Sequence, residues 1–459
     1  MITTKVKSPI VILLAIIVAG IVVVNLMDEL PVVEETAQKS FNIQSWTTAN
    51  GAQVLFVEAP ELPMLDIRVV FDAGSAQDNG RPGLASMTNL MLDQGAGQWS
   101  TDEIAERLDS IGARIGTNAQ RDMAVVSLRS LTEKPILDKA LETFSAVLHQ
   151  PRFPERDLDR ERKQILIALQ NMQQSPDEIA EMLFYKTLYG KHPYATPTLG
   201  TPESVRGLTR ADLQTFYKKY YVASNAVIAM VGDIDKEQAR AISEKLSAGL
   251  QRGKPAEMLP LVEKLQKAAF KQQQHPSTQT HIMVGQPGMT RGDDDYFVLY
   301  LGNHILGGSG FSSRIVEEIR EKRGLAYSSY SYFLPMRRQG PFMMGLQTAN
   351  HNAQQAQDLL KATLQTFIDK GPTDAELEHA KQNITGGFPL RIDSNKDIVE
   401  YLAMIGFYNL PHDYLQTFNN KIMDVSKQQI KAVFKKRIDP DRMVTVLVGN
   451  PGKPKKSAK

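Results

Sequence analysis

Two kinds of hydrophobic pattern divide the chain. Between Lys7 and Asp28 lie 20 uncharged residues, and positions 10–24 hold only aliphatic residues, Ala and Gly. As a helix rising roughly 1.5 Å per residue, such a run spans about 30 Å, one bilayer core. Lys5 and Lys7 precede it, and Asp28, Glu29, Glu34 and Glu35 follow. The positive-inside rule then places residue 1 in the cytoplasm and everything past residue 28 across the membrane. The expectation is a cytoplasmic N-terminus (1–7), a transmembrane signal anchor (8–27) and a tether (28–42). In a bacterium this is an inner-membrane protein with a periplasmic ectodomain. A cleaved signal peptide is the alternative; no A-x-A-like site follows the run, and it is long for such a segment.

Beyond residue 42 the apolar positions are short and periodic. Residues 54–57 and 65–71 alternate or run apolar with β-branched side chains, and 123–131 and 226–231 behave alike, so all four are read as strands. Helical spacing marks 83–92, 102–111, 134–149, 155–172, 177–188, 209–221 and 236–250, with Pro151 and Pro154 breaking the chain between two of these. Strands and helices in groups predict an α+β fold with mainly antiparallel sheet. The pattern then repeats. Leu213 and the pair Lys218-Lys219, then Gly232 after a strand, correspond to Ile430, Lys435-Lys436 and Gly449, each 217 residues later. A constant offset through a helix, a turn and a strand implies two homologous domains. We place them at 43–250 and 276–452, joined by a Lys- and Gln-rich linker at 251–275 and followed by a basic tail at 453–459.

Composition narrows the chemistry. Lys plus Arg total 53 against 51 Asp plus Glu, which gives no basic excess for a nucleic-acid partner. The chain has no cysteine, excluding disulfides, thiolate metal sites and cysteine nucleophiles. Among its eight histidines no two stand three or four residues apart.

One segment carries a specific frame. Residues 71–91 contain Asp72-Ala-Gly-Ser75 and then Gly83-Leu-Ala-Ser-Met-Thr-Asn-Leu90. This resembles the pitrilysin/insulinase family of zinc metallopeptidases, whose strand end D-A-G-S precedes G-L-A-H-x-x-E-H on a helix. In that inverted motif two His at i and i+4 bind one zinc and the Glu activates the bound water. Here Ser86 stands at the first His, Asn89 at the Glu and Leu90 at the second His. The third ligand, a Glu in E-R-x-x-V-L-x-E, is replaced by Ala168 in Glu161-Arg-Lys-Gln-Ile-Leu-Ile-Ala168. Leu has no donor atom for zinc and an amide no titratable proton for general-base work. No metal site and no cofactor are therefore expected in this chain.

The second half keeps what the first has lost. Leu306-Gly-Gly-Ser-Gly-Phe-Ser-Ser-Arg314 and Ile319-Arg-Glu-Lys-Arg-Gly-Leu-Ala-Tyr327 are similar to the family's C-terminal signature, in which an Arg and a Tyr seven residues apart serve the zinc site. The resemblance implies that Arg320 binds substrate and that Tyr327 donates to a developing oxyanion. Gly307–Gly310 fits no phosphate-loop pattern and reads as a flexible turn. The family includes bacterial pairs in which one subunit holds H-x-x-E-H and its homologue holds the Arg–Tyr pair. The chain resembles the second kind: a non-catalytic subunit of a heterodimeric zinc endopeptidase, not an enzyme by itself. The implied partners are a zinc-loaded homologue and an unfolded peptide. An inert scaffold or a peptide-binding protein with the same fold is the alternative.

Overall fold

Why do the strands read as nearly continuous apolar runs rather than as half-polar alternations? The computed structural model, which describes residues 41–451, gives the reason. The first sheet has six strands in the order β1-β2-β6-β3-β5-β4: β1 Gln44–Thr47, β2 Gln53–Glu58, β3 Met64–Phe71, β4 Arg114–Ala119, β5 Ala124–Leu131 and β6 Ala226–Gly232. Both of its faces are covered. Val54 and Phe56 of β2 enter one apolar core and Leu55 and Val57 the other; Ile228 and Met230 of β6 part from Val227, Ala229 and Val231 in the same way. A strand buried on both faces has no polar positions to alternate with.

The second sheet repeats this layout in the order β7-β11-β8-β10-β9: β7 Ala269–Gln274, β8 Gln279–Pro287, β9 Ala326–Phe333, β10 Pro341–Ala349 and β11 Val444–Gly449. In each sheet one pair is parallel (β2 with β6, β7 with β11) and the other pairs are antiparallel. The 217-residue offset holds in three dimensions. Helix Arg210–Tyr220 corresponds to Lys427–Arg437, and the 3-10 turn Ala223–Asn225 to Pro440–Arg442. Even the capping boxes match, Thr209 with Asp212 and Ser426 with Gln429.

The two halves are not independent. Helix Pro176–Tyr189, from the first half of the sequence, packs on β8 and β11 of the second sheet. Its repeat mate Asn395–Tyr408 packs on β2, β3 and β6 of the first. Gly406 permits that contact, because a Cβ there would lie 2.5 Å from Val227 and 2.7 Å from Leu55. Each half thus covers a sheet face of the other.

Several details differ from the sequence expectations. The stretch read as linker ends in strand β7, and Leu259 within it is buried. Strands β1 and β4, which the sequence reading did not assign, form the two edges of the first sheet. Gly307 is not in a flexible turn: it is buried in the π-helical turn His304–Gly308, where a Cβ would stand 2.4 Å from Ser331 Oγ. The anchor expected at 8–27, most of the tether at 28–42 and the tail at 453–459 lie outside the described residues. Among the described residues no helix is long and apolar enough to cross a membrane.

Candidate functional site

The degenerate zinc motif sits on helix Leu84–Leu90, as its frame requires. Asp78 receives the helix start: its carboxylate accepts from the Gly83 N–H at 2.9 Å and the Ala85 N–H at 2.8 Å. Burial pushes this carboxyl up to about 7, against the two N–H bonds that favour its ionised form.

Each replaced position has a structural occupation. Ser86 Oγ donates to the Thr198 carbonyl at 2.7 Å. Asn89 is fully buried and its Nδ2 donates to the Val125 carbonyl and the Tyr221 hydroxyl, both at 3.2 Å. A carboxylate at 89 would face the Val125 carbonyl with no proton to offer, so the amide is fitted to this pocket as the family's Glu would not be. Leu90 packs against the apolar core that also contains Ile165 and Leu169. Ala168 lies between those two on helix Glu155–Met172. Glu161, one heptad earlier, is buried and held by Arg160 Nε at 3.1 Å. Among the described residues no group of three or more His, Asp or Glu is placed to hold a metal ion. We expect elemental analysis of the purified chain to find far less than one zinc per chain; one tightly held equivalent would contradict this.

The Arg–Tyr pair has the opposite character. Arg320 lies in the π-helical turn Glu317–Glu321 and Tyr327 at the start of β9, the edge strand of the second sheet. The turn carries the guanidinium back over the strand, 4.8 Å from the centre of the Tyr327 ring. Phe311, a residue the sequence reading did not single out, also lies 4.5 Å from the guanidinium. Arg320 is therefore within cation–π distance of two rings, contacts that leave its N–H donors unspent. Among the described residues its one ion pair, to Glu321, is long at 3.5 Å. Tyr327 is 82% exposed and Phe311 72% exposed. No described residue takes the Tyr327 hydroxyl. Resemblance to the family's C-terminal signature gave Arg320 and Tyr327; Phe311 sits nine residues upstream of Arg320, in the 3-10 turn Gly310–Ser312.

A third cluster ties the halves together. Asp122, in the turn between β4 and β5, is buried and accepts from Tyr194 Oη at 2.6 Å, Tyr408 Oη at 2.9 Å and the Arg337 N–H at 2.6 Å. The Tyr194 hydroxyl in turn accepts from the Arg338 N–H at 3.0 Å. The Arg337 guanidinium lies 3.3 Å from the Asp72 carboxylate, whose pKa burial raises and this cation partly offsets.

Comparison with known proteins identifies the family. Residues 53–202 match the family model described as insulinase (peptidase family M16), and residues 207–384 match the one described as peptidase M16 inactive domain. A crystal structure of a peptidase M16 inactive domain from Pseudomonas fluorescens is 41% identical, with a TM-score of 0.87 over 90% of this chain and 100% of that one. The non-peptidase homolog YmxG of Helicobacter pylori is 27% identical over 88% of this chain and 93% of its own. A Bacillus subtilis protein named as an uncharacterized zinc protease, also YmxG, is 24% identical over 88% of this chain and 98% of its own. The repeated sheets, the motif frame and these matches together make the chain a member of peptidase family M16, the insulinase family.

Proposed function

We propose that this protein is the non-catalytic subunit of a heterodimeric zinc endopeptidase, anchored by residues 8–27 with its ectodomain in the periplasm. Its homologous partner carries the intact H-x-x-E-H motif and the zinc. The observation that carries this reading is the contrast between the two sites. Every zinc-motif position has been rebuilt into packing and hydrogen bonds, whereas Tyr327 stands exposed with its hydroxyl unspent and the half-buried Arg320 lies against its ring. A side chain serving only its own fold gains from burial and saturated hydrogen bonds. One serving a second molecule must stay available. The non-peptidase name of the Helicobacter pylori relative is in keeping with this role.

In the assembled site the partner's zinc supplies the activated water. Tyr327 donates a hydrogen bond to the oxygen that becomes negative, and Arg320 binds the substrate backbone or a carboxylate with its fork. The test is copurification of the full-length protein from the native membrane. A homologue with H-x-x-E-H is expected in near-equal amount, and protease added to intact spheroplasts should digest the chain. Recovery of the chain without such a homologue, or its full protection in spheroplasts, would overturn the reading.

A further inference from the structure

We propose that the cavity where helices Thr101–Asp109, Glu155–Met172 and Arg210–Tyr220 begin is a binding site for a phosphate-bearing ligand. This site is separate from the Arg–Tyr pair and independent of the subunit reading. The cavity holds about 540 Å³, within the range of ligand sites. Four guanidiniums line it, those of Arg152, Arg156, Arg160 and Arg210, against two carboxylates, Asp102 and Asp157. Asp157 is taken by Arg160, which also bonds Glu161 at 3.1 Å. Among the described residues Arg152, Arg156 and Arg210 form no ion pair, so three cations face one remaining acid, Asp102. Like charges gathered around one cavity raise its positive potential and favour an anion there.

The internal repeat supplies a comparison. Lys427 stands 217 residues after Arg210, at the start of the matching helix, and is paired with Asp374 at 2.6 Å. Asp374 opens helix Asp374–Gly387, which in chain order matches Glu155–Met172. Two residues further on, Glu376 holds Arg314 at 2.6 Å. The second half thus neutralises its cations at this junction with its own acids, and the first half leaves three of them without one.

Two of the three unpaired guanidiniums are held by backbone carbonyls. Arg210 donates from Nε and Nη2 to the Arg152 carbonyl at 3.2 and 3.0 Å, and Arg152 Nη2 donates to the Trp99 carbonyl at 2.6 Å. A carbonyl positions a guanidinium without cancelling its charge, and each arginine keeps further N–H groups for an anion. The next residue, Phe153, is buried and left-handed with φ of 49°, so packing holds the turn that carries Arg152. Arg156 is exposed and bonded to no described residue, free to close over a ligand. A phosphate group offers acceptor oxygens in several directions, which suits forks from separate stretches of chain better than a planar carboxylate does.

Isothermal titration calorimetry on the full-length chain in detergent reads the binding, at about 0.15 M salt so that diffuse charge attraction is screened. Pyrophosphate stands for a free diphosphate and glycerol phosphate for a lipid headgroup. The tighter of the two names the source, and equal affinity assigns recognition to the phosphate group alone. One site per chain is expected, and citrate, a carboxylate anion, should bind at least about tenfold more weakly than the better phosphate probe. Arg156→Gln should weaken that probe at least about fivefold with an unchanged thermal melt, since the side chain supports no other contact. Arg114→Gln removes the same charge from an exposed position of edge strand β4 and should leave binding within about twofold of wild type. No saturable binding of either phosphate probe, citrate bound as tightly, or equal losses in Arg156→Gln and Arg114→Gln would overturn the proposal.

Discussion

In the proposed complex with a zinc-bearing partner, Tyr327→Phe should cut peptide hydrolysis by at least about tenfold, and up to about 10²–10³, the usual cost of losing one oxyanion donor. The substitution removes only a hydroxyl. That hydroxyl is bonded to no described residue and the side chain is 82% exposed, so neither folding nor the stack on Arg320 depends on it. Heterodimer recovery should therefore match wild type. Ser86→Ala is the counterpart: its hydroxyl holds the Thr198 carbonyl and serves no chemistry, so turnover should stay within about twofold of wild type. Steady-state kinetics on the two purified complexes decide the matter. If both variants turned over like wild type, the Arg–Tyr pair would be a relic and an inert scaffold would be the better reading.

The largest effect on stability is expected at Asp122. Asp122→Ala leaves the Tyr194 and Tyr408 hydroxyls and the Arg337 N–H without their shared acceptor in a buried place. Removing one partner from such a cluster costs about 3–5 kcal/mol. Tyr408→Phe breaks a single bond of the same cluster and should cost about 1 kcal/mol. Urea unfolding followed by circular dichroism measures both. Because Tyr408 ends the helix that covers the first sheet while Arg337 lies beyond β9, Asp122→Ala should also make the junction between halves more open to limited proteolysis. Equal, small losses for both variants would show that the halves are held by apolar packing alone.

Much of the first half was legible from residue pattern. Segments 134–149 and 155–172 are helices over those same residues, because an amphipathic stripe and flanking prolines fix a helix locally. Strands β2, β3, β5 and β6 announced themselves by β-branched apolar runs. The internal repeat was legible because equivalent caps, helices and strands keep one spacing. Strand β4, Arg-Ile-Gly-Thr-Asn-Ala, was not: it is an edge strand with no fully buried residue, and its alternation of exposed and half-buried positions is carried by only one large apolar side chain, Ile115. The π-helical turns at 304–308 and 317–321 left no local signature either, since they arise from one residue too many in an otherwise helical run.

The sequence by itself determined the α+β class, the duplication and the loss of every zinc-motif donor, because residue identity at a motif position is chemistry before it is geometry. Resemblance to the family's C-terminal signature also singled out Arg320 and Tyr327. Only the tertiary structure decided that the halves exchange covering helices, because an apolar stripe specifies that a helix must be buried and not which sheet will bury it. Asp122, Tyr194, Arg337 and Tyr408 meet from four separate stretches of chain, and Phe311 meets Arg320 across the helical turns 310–321. Such contacts are set by where the elements dock, a long-range property that no local periodicity encodes.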